Sequence, residues 1–125
     1  MKTFERLLDY ELSQSVRHRR YMSVAMFCFK DSCQELTELF REDVRRSDEV
    51  FLHRDHFLVL MGTTSKTEAI KAVNRYSVDL DGFLDMRCSI SSFPDDGKTS
   101  FELLQILKQR LKRAMALEQG ALVAQ

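Results

Sequence analysis

The chain has 125 residues, with 44% hydrophobic and 30% charged. This is the size and balance of one globular domain, which excludes disordered and fibrous classes. Lys plus Arg and Asp plus Glu are 19 each, and a formal charge of zero argues against nucleic acid as a partner. Three cysteines, Cys28, Cys33 and Cys88, without C-x-x-C spacing point to reduced thiols and a cytoplasmic protein, not to disulfides or a zinc site. The apolar run Val24 to Phe29 is too short for a bilayer. The N-terminus has no signal-peptide core, so no membrane insertion is expected.

The first predicted element is a helix from Thr3 to Arg20. Phe4, Leu7, Leu8 and Leu12 recur at helical spacing, and the basic run Arg17 to Arg20 suits a helix C-terminus. Tyr21 to Phe29 reads as a strand apolar on both faces, hence central in a sheet. Ser32-Cys33-Gln34-Glu35 is a capping box opening a helix with Leu36, Leu39, Phe40 and Val44 on one stripe. Two strands follow, Glu49 to His53 and His56 to Met61, joined at Arg54-Asp55; the second is again apolar on both faces.

Gly62-Thr63-Thr64 turns the chain. Ser65-Lys66-Thr67-Glu68 caps a helix carrying Ala69, Ile70, Val73 and Tyr76. After a turn from Asp79 to Gly82, Leu84, Met86, Cys88 and Ile90 alternate with Asp85, Arg87, Ser89 and Ser91, which predicts a strand with one buried face. Phe93 to Gly97 is a loop. Thr99-Ser100-Phe101-Glu102 caps the last helix, with Leu103, Leu104, Leu107, Leu111 and Ala114 inward, and Gly120 is the expected terminator.

Without its first and last helices the order is βαββαβ, an α+β, ferredoxin-like antiparallel sheet. That topology makes strands one and three central and strands two and four edges.

Within this order, particular stretches resemble the GGDEF domain of bacterial diguanylate cyclases over nearly the whole chain. Met22-Ser23-Val24-Ala25-Met26 resembles the family's first strand, L-S-L-L-L. Arg45-Arg46-Ser47-Asp48 resembles the R-x-x-D before the signature hairpin, and Phe57-Leu58-Val59-Leu60 the strand after it. Cys88-Ser89-Ile90-Ser91 stands where the family has T-V-S-I-G. Phe93-Pro94-Asp95-Asp96-Gly97-Lys98-Thr99 through Glu102-Leu103-Leu104 is similar to F-P-x-D-G-x-T-x-x-E-L-L.

The resemblance implies a nucleotidyl-cyclase palm that joins two GTP molecules into cyclic di-GMP, but the residues of that chemistry differ. Where the family reads Gly-Gly-Asp-Glu-Phe, this chain reads His53-Arg54-Asp55-His56-Phe57. Side chains at 53 and 54 fill space that two glycines leave for a phosphate. His56 is a poor ligand for Mg²⁺, which prefers oxygen. The family's metal-binding Asp at the end of the first strand aligns with Cys28, its next acidic position with Lys30, and its phosphate-binding Lys with Met115. One carboxylate, Asp55, does not make a two-metal site, and phosphoryl transfer depends on positioning and charge neutralisation. No catalytic residues, resident metal or cofactor are therefore expected.

Three readings follow. The first is a non-catalytic regulatory or interaction domain in cyclic di-GMP signalling that contacts a protein partner or itself. The second is a cyclic di-GMP receptor using Arg45 and Asp48, because the family's R-x-x-D can bind that ligand and Arg pairs bidentately with phosphate and guanine; the same residues can also merely cap a helix and start a strand. The third is a residual cyclase. His53, Asp55 and His56 as a metal group, or Cys28 with either His as a thiol–imidazole pair, are disfavoured: the hairpin turn separates the two His, and Cys28 lies among apolar neighbours.

Overall fold

The computed structural model describes residues 2–29, 49–53, 56–79, 86–117 and 121–125. The described elements, numbered in chain order, are α1 (Lys2–His18), β1 (Met22–Phe29), β2 (Glu49–His53), β3 (His56–Gly62), α2 (Lys66–Asp79), β4 (Met86–Phe93), α3 (Ser100–Met115) and β5 (Leu122–Val123). The expected helix after Ser32 lies outside the described residues.

The sheet order is β2-β3-β1-β4-β5. β1 runs antiparallel to both β3 and β4, and β2 runs antiparallel to β3. The two strands apolar on both faces are therefore interior, as the hydrophobic pattern requires. Val24, Met26, Phe27, Phe57, Val59 and Leu60 are all buried.

Strand alternation divides the core in two. Ala25, Phe27, Phe57, Val59, Met61, Cys88 and Ile90 face α2, packing on Ala69, Val73 and Tyr76. Met22, Val24, Met26, Leu58 and Leu60 face α1 and α3, packing on Phe4, Leu8, Leu12, Leu103, Leu107 and Leu111. Phe4 stacks on Phe51 of β2, with ring centroids 5.1 Å apart. Phe4, Leu8 and Leu12 of the α1 stripe thus dock on the chain's own sheet, with Leu8 fully buried, while Leu7 is exposed.

Local signals operate as the sequence indicates at α2. The Ser65 amide donates to Glu68 Oε1 (2.9 Å) and the Glu68 amide to Ser65 Oγ (3.3 Å), a reciprocal capping box. At α3 the Glu102 amide donates to Thr99 Oγ1 (3.1 Å), while the Thr99 hydroxyl donates to Glu102 Oε1 (3.2 Å). The helix closes at Met115 with Ala116 as its cap, before the expected stop at Gly120.

α1 ends without glycine. Arg19 has φ 53°, the Arg20 amide donates to the Ser15 carbonyl (2.9 Å), and the Arg19 amide donates to the Val16 carbonyl (3.4 Å). These two bonds make a Schellman closure with arginine at the left-handed position.

Two expectations fail at β4. Two of its alternating polar residues are not solvent-facing: Ser89 and Ser91 are fully buried. Ser89 Oγ donates to the Leu107 carbonyl (2.9 Å) and Ser91 Oγ to the Leu103 carbonyl (3.0 Å). Short hydroxyl side chains let α3 sit close on the strand while satisfying their own polar atoms. Nor is β4 a bare edge. β5 pairs with it in parallel, setting Leu122 beside Cys88 and Val123 beside Ser89. The Cys88 amide donates to the Ala121 carbonyl (3.0 Å). A two-residue strand has too short a pattern to be read from sequence.

Candidate functional site

Three strands finish together at one end of the sheet. β1 arrives at Cys28, β2 at His53, and β3 departs at His56. The register sets His53 opposite His56 and His56 opposite Cys28. On the other side of Cys28 stands Arg87 of β4, whose Nε donates to the Leu117 carbonyl (3.3 Å). Cys28 packs at the margin of the core beneath α1 and α3, and His56 is half-buried. Phe57, the next residue, is fully buried on the opposite face against α2.

The signature-like residues therefore divide. Phe57 is a core residue and belongs to the fold. His56 borders solvent beside Cys28. His53 is placed by its backbone register, and Arg54 and Asp55 lie outside the described residues, as do Arg45 and Asp48 of the R-x-x-D segment. The expectation that the turn separates the two histidines is corrected: a hairpin places the residues that flank its two-residue turn directly across from each other.

A second polar group, not anticipated from sequence, gathers around Asp96. Arg110 of α3 grips its carboxylate with both nitrogens, Nη2 to Oδ1 at 2.8 Å and Nη1 to Oδ2 at 2.9 Å. Lys66 Nζ lies 3.0 Å from Oδ1, the Ser92 amide donates to Oδ2 (2.8 Å), and the Asp96 amide donates to the Ser92 carbonyl (2.8 Å). Arg110 Nη1 also donates to the Ile90 carbonyl (2.7 Å). Burial pushes the Asp96 carboxyl up, but the bonds from Arg110, Lys66 and the Ser92 amide outweigh it and hold the group below its ordinary value.

With both cations directed at one carboxylate, this cluster joins the start of α2, the β4–α3 loop and the middle of α3. Gly97 follows because a Cβ there would come within 2.9 Å of Glu102 Cβ. The only available sequence sign was the F-P-x-D-G stretch, which marked Asp96 but not its distant partners. Burial pushes the Cys88 thiol well up, which makes it an inert core group.

Among the described residues no three metal-ligating side chains form a group, and no helix is long and apolar enough to cross a membrane. No family model matches the sequence, and no curated protein matches it either.

Solved structures do match. The GGDEF domain of YfiN (TpbB) from Pseudomonas aeruginosa superposes with a TM-score of 0.90 at 19% identity, covering 99% of this chain and 94% of that one. The FimX GGDEF domain from the same organism gives 0.87 at 12% identity, covering 98% and 91%. The diguanylate cyclase SiaD, solved with its activator SiaC, gives 0.86 at 15% identity; the match covers 99% of this chain and 57% of SiaD. With its interior β1 and β3, its helices on both faces and its hairpin at the sheet's end, this chain has the fold of a GGDEF domain.

Proposed function

We propose that this chain is a non-catalytic GGDEF-like domain that acts in cyclic di-GMP signalling through contact with a protein partner. The observation that carries this reading is the pairing of Cys28 with His56 where β1 meets the hairpin. By the alignment above, these two residues stand where a cyclase presents oxygen ligands, and a thiol and an imidazole suit Mg²⁺ poorly. Protein contact is supported by apolar side chains left outside the core: Tyr10 and Val16 on α1 and Phe101 on α3 are 62%, 59% and 72% exposed. It is also in keeping with SiaD, which was solved with an activator protein.

The deciding experiment is incubation with GTP and either Mg²⁺ or Mn²⁺. No cyclic di-GMP above a blank is expected. Product formation abolished by Asp55→Ala overturns the reading in favour of a residual cyclase. Calorimetric titration with cyclic di-GMP covers the receptor alternative: micromolar binding lost in Arg45→Ala replaces protein contact as the primary role.

A further inference from the structure

The end of the sheet away from the hairpin carries a cleft that the core does not fill. β1 begins at that end with Met22, opposite Gly62 of β3 and Phe93 of β4. α1 finishes shortly before Met22, and α3 begins shortly after Phe93. The last turns of α1 and the first residues of α3 line one open cleft of about 560 Å³.

Its walls carry two cations, Arg17 of α1 and Lys98 of the loop before α3. Both are exposed, and among the described residues neither makes a hydrogen bond or an ion pair. Lys66 and Arg110, by contrast, are both held by Asp96. The positive end of the α3 dipole adds to Lys98, and the exposed His18 and Arg19 follow Arg17. Asp9 lines the cleft as well, but it comes eight residues before Arg17 and so about 12 Å away along the helix. Between these charges Leu12 and Val16 supply apolar surface, and Val16 and Phe101, the neighbour of Ser100, are exposed.

We propose that this cleft docks an acidic, amphipathic segment of a partner protein, which gives the protein-contact role its partner chemistry and rests on that role. The segment's carboxylates meet Arg17 and Lys98, and its apolar side chains cover Leu12, Val16 and Phe101. Charge complementarity commits the surface to this occupant: two cations without partners attract acidic groups and fix their register, and Asp9 keeps the acidic end of the segment towards Arg17. A water molecule's share of volume is about 30 Å³, so the cleft has room for several side chains, far more than one inorganic anion fills.

The probe is a displayed library of random peptides, selected on the full chain. The recovered peptides are expected to combine Asp or Glu with Leu or Phe. Synthesised and titrated into the labelled chain, they are expected to shift the amide resonances of residues 12–17 and 98–101. Arg17→Glu and Lys98→Glu are each expected to weaken this binding at least tenfold. Lys108→Glu makes the same charge change at an exposed position of α3 outside the cleft and is expected to leave binding unchanged.

Recovered peptides without acidic residues, binding indifferent to Arg17→Glu and Lys98→Glu, or resonance shifts elsewhere overturn the cleft and leave the protein-contact role standing. Recovery of no binding peptide also overturns it. Inorganic phosphate that produces the same shifts and displaces the peptide at matched ionic strength reduces the cleft to an anion site, which overturns the proposal. Self-association abolished by Arg17→Glu makes a second copy the occupant and overturns it too. GTP turnover, measured separately, overturns the non-catalytic role and not the cleft.

Discussion

Arg110 and Asp96 meet in a two-pronged ion pair, 2.8 and 2.9 Å long, that fastens α3 to the loop leaving β4. Both side chains are nearly buried, at 12% and 7% exposed, so water screens the pair little. Arg110→Ala leaves a carboxylate in the margin of the core with Lys66 as its remaining cation. The expected loss is about 3 kcal/mol, the lower end for removing one partner of a buried pair. Urea unfolding of the two proteins, compared at equal slope, measures it.

The same pair sets a pH dependence. Asp96 titrates below its ordinary 3.8 in the folded chain, so the unfolded state takes up the proton first. Its contribution is fully present above about pH 4 and is lost as pH falls through the lowered value. Thermal melts between pH 7 and pH 2 are expected to show this acid loss in the natural chain and a shallower one in Asp96→Asn.

Ser89 and Ser91 let α3 lie against β4. Replacing either with Val puts a branched side chain into a filled space and removes a hydroxyl bonded to a helix carbonyl. Overpacking of this kind costs about 1–3 kcal/mol, whereas Ser→Ala is expected to cost about 0.5–1.5 kcal/mol. Chemical denaturation of the four variants checks the order.

Arg19 holds a left-handed backbone at φ 53°. A residue with a Cβ gives up roughly 1–2 kcal/mol there, and glycine returns part of that through its greater freedom in the unfolded chain. Arg19→Gly is therefore expected to stabilise by about 0.5–1 kcal/mol, read as a raised melting temperature.

Phe57 and Leu8 are both fully buried, on opposite faces of the sheet. Phe57→Ala is expected to cost about 3–5 kcal/mol. Leu8→Glu places a charge in the core under α1 and is expected to unfold the chain, so it cannot report on association. Tyr10→Glu and Val16→Glu change exposed positions instead. Sedimentation of these two variants at high concentration tests self-association through α1: they are expected to reduce it with melting behaviour unchanged.

The strand order was legible because burial on both faces leaves a continuous apolar run, and Tyr21 to Phe29 and Phe57 to Met61 carry one each. The Ser65 box was legible for a different reason: a cap is decided by residues three apart, within reach of short-range pattern. The serines of β4 misled because a hydroxyl suits solvent and a helix carbonyl equally well. Which one it meets depends on α3, whose first residue, Ser100, comes nine residues after Ser91.

The meeting of Asp96 with Arg110 and Lys66, and the cross-strand register of Cys28 with His56, lie beyond sequence reading for a common reason. Asp96 comes 30 residues after Lys66 and 14 before Arg110, and Cys28 and His56 come from separate strands. The sequence by itself determined the elements, their two-faced or one-faced burial and the interior place of β1 and β3, because these follow from local periodicity. Only the tertiary structure decided which polar groups meet, because that depends on how α2, α3 and the β4–α3 loop pack together and, at Cys28 and His56, on strand register.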